Sequence, residues 1–372
     1  MMRDDVVRIG ILRLTDSAPV VMAEQEGFLA AEGIAADIHV EPSWANISDK
    51  LTYGHLDAAI MLPPLALAMA LGLRGARSPV VVPMGLSLNG NSITVSQAIS
   101  GELLATGPTA AMETGRRLRH WLRQSGKRIR LGVVHAFSTH NLLLRYWLAA
   151  QDIDVNCDTE ITVVPPADTA QALREGRIDG FCAGAPWGAV AAEEGVGRSV
   201  CLTSAIWRDH PEKCLAVTAA LANERPELLD RLIAALIRSA RYCDDPAHAE
   251  HVAHTLARPD YLGLPPQLVR LSLPSKDAKP SRPDVDRSLF WGSKVLVPSR
   301  PHAIWFLAQM ARWGYVPAGI DAQAIIHSVF RPDLLVGPAK RQNLTLPTGG
   351  AAVLDGFCDG AVFKPEIRLR AL

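Results

Sequence analysis

The sequence carries no excess of either charge and no prominent basic tract. Its 372 residues include 38 Lys and Arg against 38 Asp and Glu, so the formal net charge is zero. Proteins that bind nucleic acid directly usually present an electropositive stripe. The balanced charge therefore argues against direct nucleic-acid binding.

The sequence also lacks an apolar run long enough to cross a membrane. The longest run spans residues 60–73 and is interrupted by Pro63 and Pro64, whereas a membrane-spanning helix needs about 20 apolar residues. The opening MMRDDV shows no apolar leader, no small-residue cleavage site and no cysteine for lipidation. We therefore expect a cytoplasmic protein without membrane association. An exported protein whose leader is missing from this sequence is the alternative.

Cysteine is scarce, and its spacing does not indicate a redox or metal motif. The six cysteines fall at positions 157, 182, 201, 214, 243 and 358, with no CxxC pair. Their even number in a long chain says little about disulfides. Reduced and mostly buried thiols are the expectation, in keeping with a cytoplasmic protein.

Motifs for catalysis and for metal binding are missing as well. No Ser-His-Asp arrangement or phosphate-binding loop is evident, so we expect no catalytic residue and no enzyme. His248, His251 and His254 would spread over roughly 120° of a helix and converge poorly on one ion. We therefore expect neither a metal site nor a cofactor.

Strand and helix patterns alternate in two stretches of the chain, each in the order strand, helix, strand, helix, strand. In the first stretch the predicted elements are residues 6–12, 18–32, 36–40, 45–53 and 58–61. In the second they are residues 130–135, 139–150, 162–164, 169–175 and 180–183. This order predicts an α/β fold with parallel-rich sheets, whose ligand loops lie at the carboxyl ends of the strands.

The two stretches end alike, which predicts a two-lobed clamshell with a ligand cleft between the lobes. Each has a short helix, a glycine, an aspartate (Asp57 or Asp179) and an apolar strand. We assign residues 1–97 and 208–372 to lobe I and residues 98–207 to lobe II.

Further boundaries follow from the same pattern. We expect hinges at residues 93–95 and 215–218, and a hairpin turn at Asn89-Gly90. Helical spacing dominates residues 225–330 around a surface loop at 274–286. No firm structure is assigned after residue 331.

Six segments carry a resemblance to a known family. They are LTDSAP at 14–19, EQEGFLAAEG at 24–33, SWANI at 43–47, FSTHN at 137–141, LRYWL at 144–148 and HPEK at 210–213. Together they resemble the nitrate/nitrite/bicarbonate group of ABC-importer binding proteins, over residues 6–330. The second segment is shared with sulfonate, taurine and pyrimidine binders. The SWANI and FSTHN segments narrow the resemblance to the nitrate group. It implies a type II periplasmic-binding-protein-like fold with a helical C-terminal part.

The resemblance places five residues around the ligand: Trp44, Gln97, His140, Gly184 and Lys213. Nitrate has only acceptor oxygens and one negative charge, so a cage of N–H donors and an ammonium suits it. Bicarbonate would favour an added acceptor, and no carboxylate is among the five, so nitrate or nitrite is preferred. The amide oxygen of Gln97 is one such acceptor, so bicarbonate stays a possible ligand. The neighbouring Thr15 and Asp16 are expected to position the first loop rather than to touch the ligand.

The absence of a leader makes the sequence resemble most the NasS-type cytoplasmic nitrate/nitrite sensors. That resemblance implies a partner, an RNA-binding antiterminator with an ANTAR domain, which the protein releases when the anion binds. The substrate-binding component of an ABC importer for nitrate, nitrite, bicarbonate or a sulfonate is the alternative, and an enzyme on the same fold is a third hypothesis. The chain departs from the family at Ala185, where a glutamate is common. We expect the loss of this carboxylate to alter domain closure or ligand selectivity.

Overall fold

The computed structural model describes residues 5–75, 77–104, 110–276, 282–317, 319–347 and 353–365, and its strands form two sheets. The strands are β1 (Asp5–Ile11), β2 (Ile34–Val40), β3 (Ala58–Met61), β4 (Val80–Asn89), β5 (Asn91–Ser96), β6 (Ile129–Val133), β7 (Thr159–Val163), β8 (Gly180–Gly184), β9 (Gly197–Leu202), β10 (Pro211–Thr218) and β11 (Ser288–Leu289). The first sheet has the order β11-β4-β10-β3-β1-β2, and the second has the order β7-β6-β8-β5-β9.

Both sheets are mixed, and they are built alike. In the first sheet β1 pairs in parallel with β2 and β3, and in the second β6 pairs in parallel with β7 and β8. The antiparallel members are β10 beside β3 and β4, and β5 beside β8 and β9. The predicted α/β fold is confirmed, and the antiparallel strands β5 and β10 lie next to the points where the chain passes from one sheet to the other.

Helices pack against both sheets, as the strand–helix alternation predicts. They are α1 (Ala18–Gln25), α2 (Phe28–Ala31), α3 (Trp44–Thr52), α4 (Pro63–Leu71), α5 (Gln97–Leu103), α6 (Ala111–Ser125), α7 (Thr139–Ala149), α8 (Thr169–Arg174), α9 (Trp187–Glu193), α10 (Thr203–Ile206), α11 (Ala219–Glu224), α12 (Pro226–Asp244), α13 (Ala249–Leu256), α14 (Pro266–Arg270), α15 (Ser293–Leu296), α16 (Arg300–Arg312), α17 (Ala322–Val329) and α18 (Val336–Arg341). The predicted helix 18–32 is divided at Gly27, whose φ of 70° is left-handed and suits glycine.

The chain crosses between the sheets at places other than the expected hinges. Residues 93–95 lie inside β5 and are paired on both sides, and residues 215–218 lie inside β10. Asn89-Gly90 is not a hairpin turn, because β4 belongs to the first sheet and β5 to the second. The first crossing is therefore at Gly90 rather than at residue 97, and the second lies within residues 203–210.

The two sheets carry matching ion pairs at the corresponding strands. The Arg8 backbone and guanidinium donate to the Asp57 carboxylate at 2.7–2.9 Å, and Arg130 does the same to Asp179 at 2.7–3.0 Å. Both pairs join residues 49 positions apart. These two Arg–Asp clamps match the similarity that the sequence shows between its halves.

The C-terminal residues, for which the sequence predicts no firm structure, pack against the second crossing. The Trp207 indole N–H donates to the Asp355 carbonyl at 3.0 Å, and the Tyr146 hydroxyl donates to the Asp359 carboxylate. Phe357 stacks on Trp207 with ring centroids 4.8 Å apart. The described segment 353–365 thereby connects the crossing to α7.

Other expectations can be compared directly with the described residues. All six cysteines are free and four are buried, as predicted. Asp286, at the end of the expected surface loop 274–286, is instead buried and accepts hydrogen bonds from Ser204, while residues 277–281 of that loop lie outside the described ranges. Within those ranges, no helix has the length and apolar character needed to cross a membrane.

Candidate functional site

Four of the five predicted ligand residues lie together in one buried polar cluster between the sheets. Lys213 Nζ is 5.4 Å from the centroid of the Trp44 ring, and its neighbour Glu212 reaches His140. Gly184 lies beside this group, and all four residues are buried. We call this cluster the polar chamber and define it by its residues: Thr15, Asp16, Trp44, Asn91, Thr139, His140, Gly184, Glu212 and Lys213.

The chamber forms where parallel strands end, as the fold predicts. The turn at Thr15–Ser17 follows β1, and Trp44 opens α3 after β2. His140 lies in the first turn of α7 after β6, and Gly184 is the last residue of β8. Each of the two sheets thus contributes the loops at its carboxyl edge.

Capping residues fix the two helices that carry Trp44 and His140. The Ser43 side chain accepts a hydrogen bond from the backbone N–H of Asn46 at 3.2 Å, and the Ser138 side chain accepts one from the backbone N–H of Asn141 at 3.0 Å. Both helices begin at the chamber, so their partial positive N-terminal ends favour a bound anion.

Lys213 is the cation of the chamber and contacts two carboxylates. Its Nζ lies 2.7 Å from Asp16 Oδ2 and 2.5 Å from Glu212 Oε1. Burial would lower the pKa of Lys213, but the two carboxylates outweigh burial and raise this pKa above its ordinary value. The ammonium therefore stays charged although only 1% of the residue is exposed.

Two histidines lie close to Glu212. His140 Nε2 lies 3.3 Å from Glu212 Oε1, and His210 Nδ1 lies 3.8 Å from Glu212 Oε2. Burial lowers the pKa of His140 to about 3, so its ring is neutral at pH 7. Burial would raise the pKa of Glu212, but the charged and polar groups around it, the Lys213 ammonium among them, outweigh burial and lower this pKa. Glu212 is therefore an ionised carboxylate.

Polar atoms of the chamber lack hydrogen-bond partners among the described residues. They are Thr15 Oγ1, Asp16 Oδ1, Trp44 Nε1, Asn91 Nδ2 and Oδ1, Thr139 Oγ1, both ring nitrogens of His140 and Glu212 Oε2. Buried polar groups are hydrogen-bonded in the large majority of cases, because leaving one unpaired costs about 1–3 kcal/mol. So many unpaired atoms around one lysine indicate a site built for a polar ligand.

Gly184 keeps the chamber open. A Cβ atom at this position would lie 3.2 Å from the Leu14 side chain and 3.3 Å from Asn91 Oδ1, with Asp16 Oδ2 at 3.7 Å. Any side chain would therefore extend into the space between these groups. The glycine contributes room for a ligand, and its backbone belongs to β8.

Direct hydrogen bonds join the two sides of the cleft, so the structure is closed. The Thr15 amide donates to the Ala185 carbonyl at 2.9 Å, and the Trp187 indole N–H donates to the Arg13 carbonyl at 2.9 Å. Ala185, where the resembling family often has glutamate, takes part in this closure through its backbone carbonyl. A side-chain carboxylate is not needed for that contact.

Gln97, the fifth predicted ligand residue, does not lie at the chamber in the described structure, so the geometry gives its assignment no support. The strand β5 begins at Asn91 beside Gly184 and ends at Ser96, which pairs with Gly197. Gln97 follows at the far end of that strand and is exposed to solvent. The strand therefore presents Asn91, not Gln97, to the chamber.

The structure also places two carboxylates beside Lys213, where the sequence analysis expects a cage without carboxylates. Glu212 and Asp16 both contact Lys213 inside the chamber, and Asp16 is not confined to positioning its loop. Glu212 stands next to Lys213 in the HPEK segment, which was a usable signal. Asn91 had no comparable signal, because its role depends on the crossing at Gly90.

Other parts of the molecule offer weaker candidates. Two open cavities of about 780 and 650 Å³ lie beside the C-terminal segment, lined in part by Trp207 and Trp305 respectively. A cavity of about 460 Å³ between residues 40–46 and 165–168 lies next to Ser43, at the outer side of α3. The described residues contain no cluster of His, Cys, Asp and Glu suited to a metal ion. The polar chamber alone among these spaces combines a buried ammonium with several unpaired donors.

Comparison with known proteins gives consistent matches along the whole chain. A sequence profile of the NMT1-like family matches residues 3–257. Nitrate/nitrite binding protein NrtA of Synechococcus elongatus is 30% identical over 371 residues, covering 97% of this chain and 84% of that protein. Bicarbonate transport ATP-binding protein CmpC of the same species is 35% identical over 342 residues, covering 91% of this chain and 50% of CmpC. The chain thus spans about half the length of the ATP-binding relatives it matches.

The structural comparison agrees with these matches. The crystal structure of the periplasmic nitrate-binding protein NrtA from Synechocystis PCC 6803 superimposes with a TM-score of 0.88 at 25% identity, covering 99% of this chain and 98% of that chain. This similarity confirms the periplasmic-binding-protein fold that the sequence predicts.

Proposed function

The chain belongs to the NMT1-like family, and we propose that it is a solute-binding protein that closes around one small planar oxyanion, nitrate or nitrite. The observation that supports this most is the set of unpaired donors around the Lys213 ammonium, including Trp44 Nε1 and Asn91 Nδ2. A planar ion with three acceptor oxygens can accept from several such donors at once. The printed names of the relatives NrtA and CmpC agree with a ligand of this class.

A ligand of this size sets a limit on the affinity. Nitrate has four heavy atoms, and the best small ligands gain about 1.5 kcal/mol per atom. The resulting binding free energy is roughly 6 kcal/mol, which corresponds to a dissociation constant of some tens of micromolar. Reaching this limit requires strong contacts, and charge-assisted hydrogen bonds from the Lys213 ammonium in a closed cleft are stronger than neutral ones.

Bicarbonate is the second candidate, because the chamber contains two carboxylates. Asp16 Oδ1 and Glu212 Oε2 have no hydrogen-bond partner in the described part of the chain. Either oxygen can accept the hydroxyl hydrogen that bicarbonate carries and nitrate lacks. The donors around Lys213 serve the remaining oxygens of both ions equally well.

Titration calorimetry of the whole chain tests the proposal. Nitrate, nitrite, bicarbonate and taurine are each titrated in a buffer otherwise poor in anions. We expect micromolar binding of nitrate or nitrite and none of taurine, whose sulfonate is tetrahedral and bears an alkyl chain. Binding of bicarbonate alone would establish the second candidate. Heat from taurine alone would contradict the oxyanion proposal.

Delivery of the ion to an ABC-type importer is the role we propose first, because the matched relatives are binding and transport proteins by name. No catalytic step is proposed for the chamber. The narrower hypothesis of a cytoplasmic sensor that releases an ANTAR-domain antiterminator stays a prediction from the resemblance. Size-exclusion chromatography of the chain mixed with such a protein tests it: the sensor hypothesis predicts a complex that nitrate dissociates, and the absence of a complex without nitrate would contradict that hypothesis.

A further inference from the structure

The polar chamber carries a net negative charge, which a bound anion would increase. Lys213 is the cation that both Asp16 and Glu212 contact, at 2.7 and 2.5 Å. With His140 neutral, two ionised carboxylates and one ammonium leave a net charge of −1. A bound nitrate would make it −2 inside a buried space. Like charges so close in a poorly solvated site repel strongly.

We propose that nitrate or nitrite binds together with one proton, which Asp16 holds. This inference rests on the proposed function and concerns the same chamber. Protonation of Asp16 returns the net charge of the occupied chamber to −1. It also converts an acceptor oxygen into an O–H donor, so that Asp16 can donate to an ion that offers only acceptors.

Geometry selects Asp16 over Glu212 as the proton acceptor. Glu212 has Lys213 and two imidazoles within 3.8 Å, whereas Asp16 forms an ion pair with Lys213 alone among the described residues. Asp16 Oδ1 has no hydrogen-bond partner among the described residues, and Asp16 Oδ2 lies 3.7 Å from the position that a Cβ atom at Gly184 would occupy. A proton on Asp16 therefore disturbs one ion pair, on a carboxylate that lies beside Gly184.

The titration tendencies of the surrounding groups agree with this choice. Burial raises the pKa of Asp16, an effect that Lys213 offsets in part. The pKa of Glu212 is about 2, and burial lowers the pKa of His140 and of His210.

The remaining titratable groups near the ion pair are two thiols. Burial raises the pKa values of Cys182 and Cys214, which lie near Glu212, so both stay protonated. Among the groups that face the chamber, Asp16 is thus the one whose protonation the surroundings favour.

The test is calorimetric titration with nitrate between about pH 6 and about pH 9, in pairs of buffers with different ionisation enthalpies. Above the pKa of Asp16 in the free protein, the dissociation constant should rise about tenfold per pH unit, with uptake approaching one proton per ion. In Asp16→Asn both the pH dependence and the uptake should vanish. The control is Glu41→Gln, which alters a buried carboxylate paired with Lys50 at 2.6 Å outside the chamber, and should behave as the wild type.

Each other outcome overturns the inference in a distinct way. Nitrate binding without proton uptake and with a constant affinity across the range would contradict it while leaving the proposed function intact. Uptake that persists in Asp16→Asn would place the proton on another group. Absence of nitrate binding in the wild type at every pH would remove the nitrate proposal and this inference together. The wild-type uptake is decisive even if the variant does not fold.

Discussion

The Arg–Asp clamps and the polar chamber are two polar regions built from the same kinds of group, with opposite outcomes. In each clamp one carboxylate accepts from both the backbone and the guanidinium of one arginine, and both its oxygens are used. In the chamber two carboxylates share one ammonium, and one oxygen of each has no described partner. A carboxylate with both oxygens hydrogen-bonded holds strands together, whereas a carboxylate with an unpaired oxygen can still interact with a ligand.

Two buried tryptophans repeat the contrast within one residue type. The Trp147 indole N–H donates to the Ala111 carbonyl at 2.7 Å. Trp44 is equally buried, but its indole N–H has no partner among the described residues. The comparison teaches that the hydrogen-bond state of a buried group, more than its burial, distinguishes a candidate ligand residue from a packing residue.

The largest effect is expected from removing the chamber's cation. Lys213→Ala should weaken nitrate binding at least tens-fold, because the only ammonium contacting Asp16 and Glu212 in the described structure is lost. It should also destabilise the fold by about 3–5 kcal/mol, since an unpaired buried charge remains. Calorimetry and urea unfolding measure the two effects.

A charge-balanced variant controls for that loss of stability. Lys213→Met combined with Glu212→Gln removes one charge of each sign and should recover much of the stability while nitrate binding stays weak. Nitrate affinity close to that of the wild type in either variant would exclude Lys213 from the site.

Breaking a clamp should have the second-largest effect, and on stability alone. Asp57→Ala should lower the free energy of unfolding by about 1–3 kcal/mol, with nitrate affinity unchanged. Burial would raise the pKa of Asp57, but the hydrogen bonds from Arg8 outweigh it and the pKa is lowered. The clamp therefore stabilises the fold above the ordinary carboxyl pKa, and the contribution is lost as the pH falls through the lowered pKa of the folded state. Urea unfolding at neutral and acidic pH should show the variant's deficit shrinking in acid.

The equivalent substitution in the other half of the molecule tests whether the two clamps contribute equally to stability. Asp179→Ala should give a similar loss of stability, because Arg130 contacts it through the same three bonds. A fall in nitrate affinity in both variants would mean that the clamps and the chamber are not separate in function.

Replacing the indole N–H should have a smaller effect that distinguishes the two tryptophans. Trp44→Phe should weaken nitrate binding by roughly 1 kcal/mol, the net value of a typical hydrogen bond, and leave stability less affected than Trp147→Phe does. Trp147→Phe removes the bond to Ala111 and should lower stability without changing the affinity. Calorimetry measures the nitrate affinity of the two variants, and thermal unfolding measures their stability. Equal nitrate affinities would contradict the distinction between the two tryptophans.

The smallest effect is expected at Gln97. Because this residue is exposed at the far end of β5, Gln97→Ala should change nitrate affinity and stability by less than about 0.5 kcal/mol. A tenfold loss of affinity in calorimetry would return Gln97 to the ligand site.

The sequence predicts the elements well because their signals are local. The predicted helices 45–53 and 139–150 agree with α3 and α7 within a residue of their structural bounds. The recurrence around Asp57 and Asp179 likewise predicts two similar halves. These features depend on neighbours in the chain, so a single sequence contains them.

Features that depend on contacts between distant strands could not be predicted in this way. The hairpin expected at Asn89-Gly90 was wrong, and Gln97 lies away from the other four predicted ligand residues, because nothing local shows that β4 and β5 belong to different sheets. The pairing of Asp16 with Lys213, nearly two hundred positions apart, is equally invisible in the sequence. The chamber's carboxylates therefore emerged only from the folded arrangement.

The most direct test of the account is a crystal structure of the wild-type protein with nitrate bound. We predict difference density for one planar ion inside the polar chamber, within hydrogen-bond distance of Lys213 Nζ and Trp44 Nε1. Density for nitrate in the cavity beside Ser43 or next to Trp207, with the chamber still occupied by protein ion pairs alone, would contradict the account.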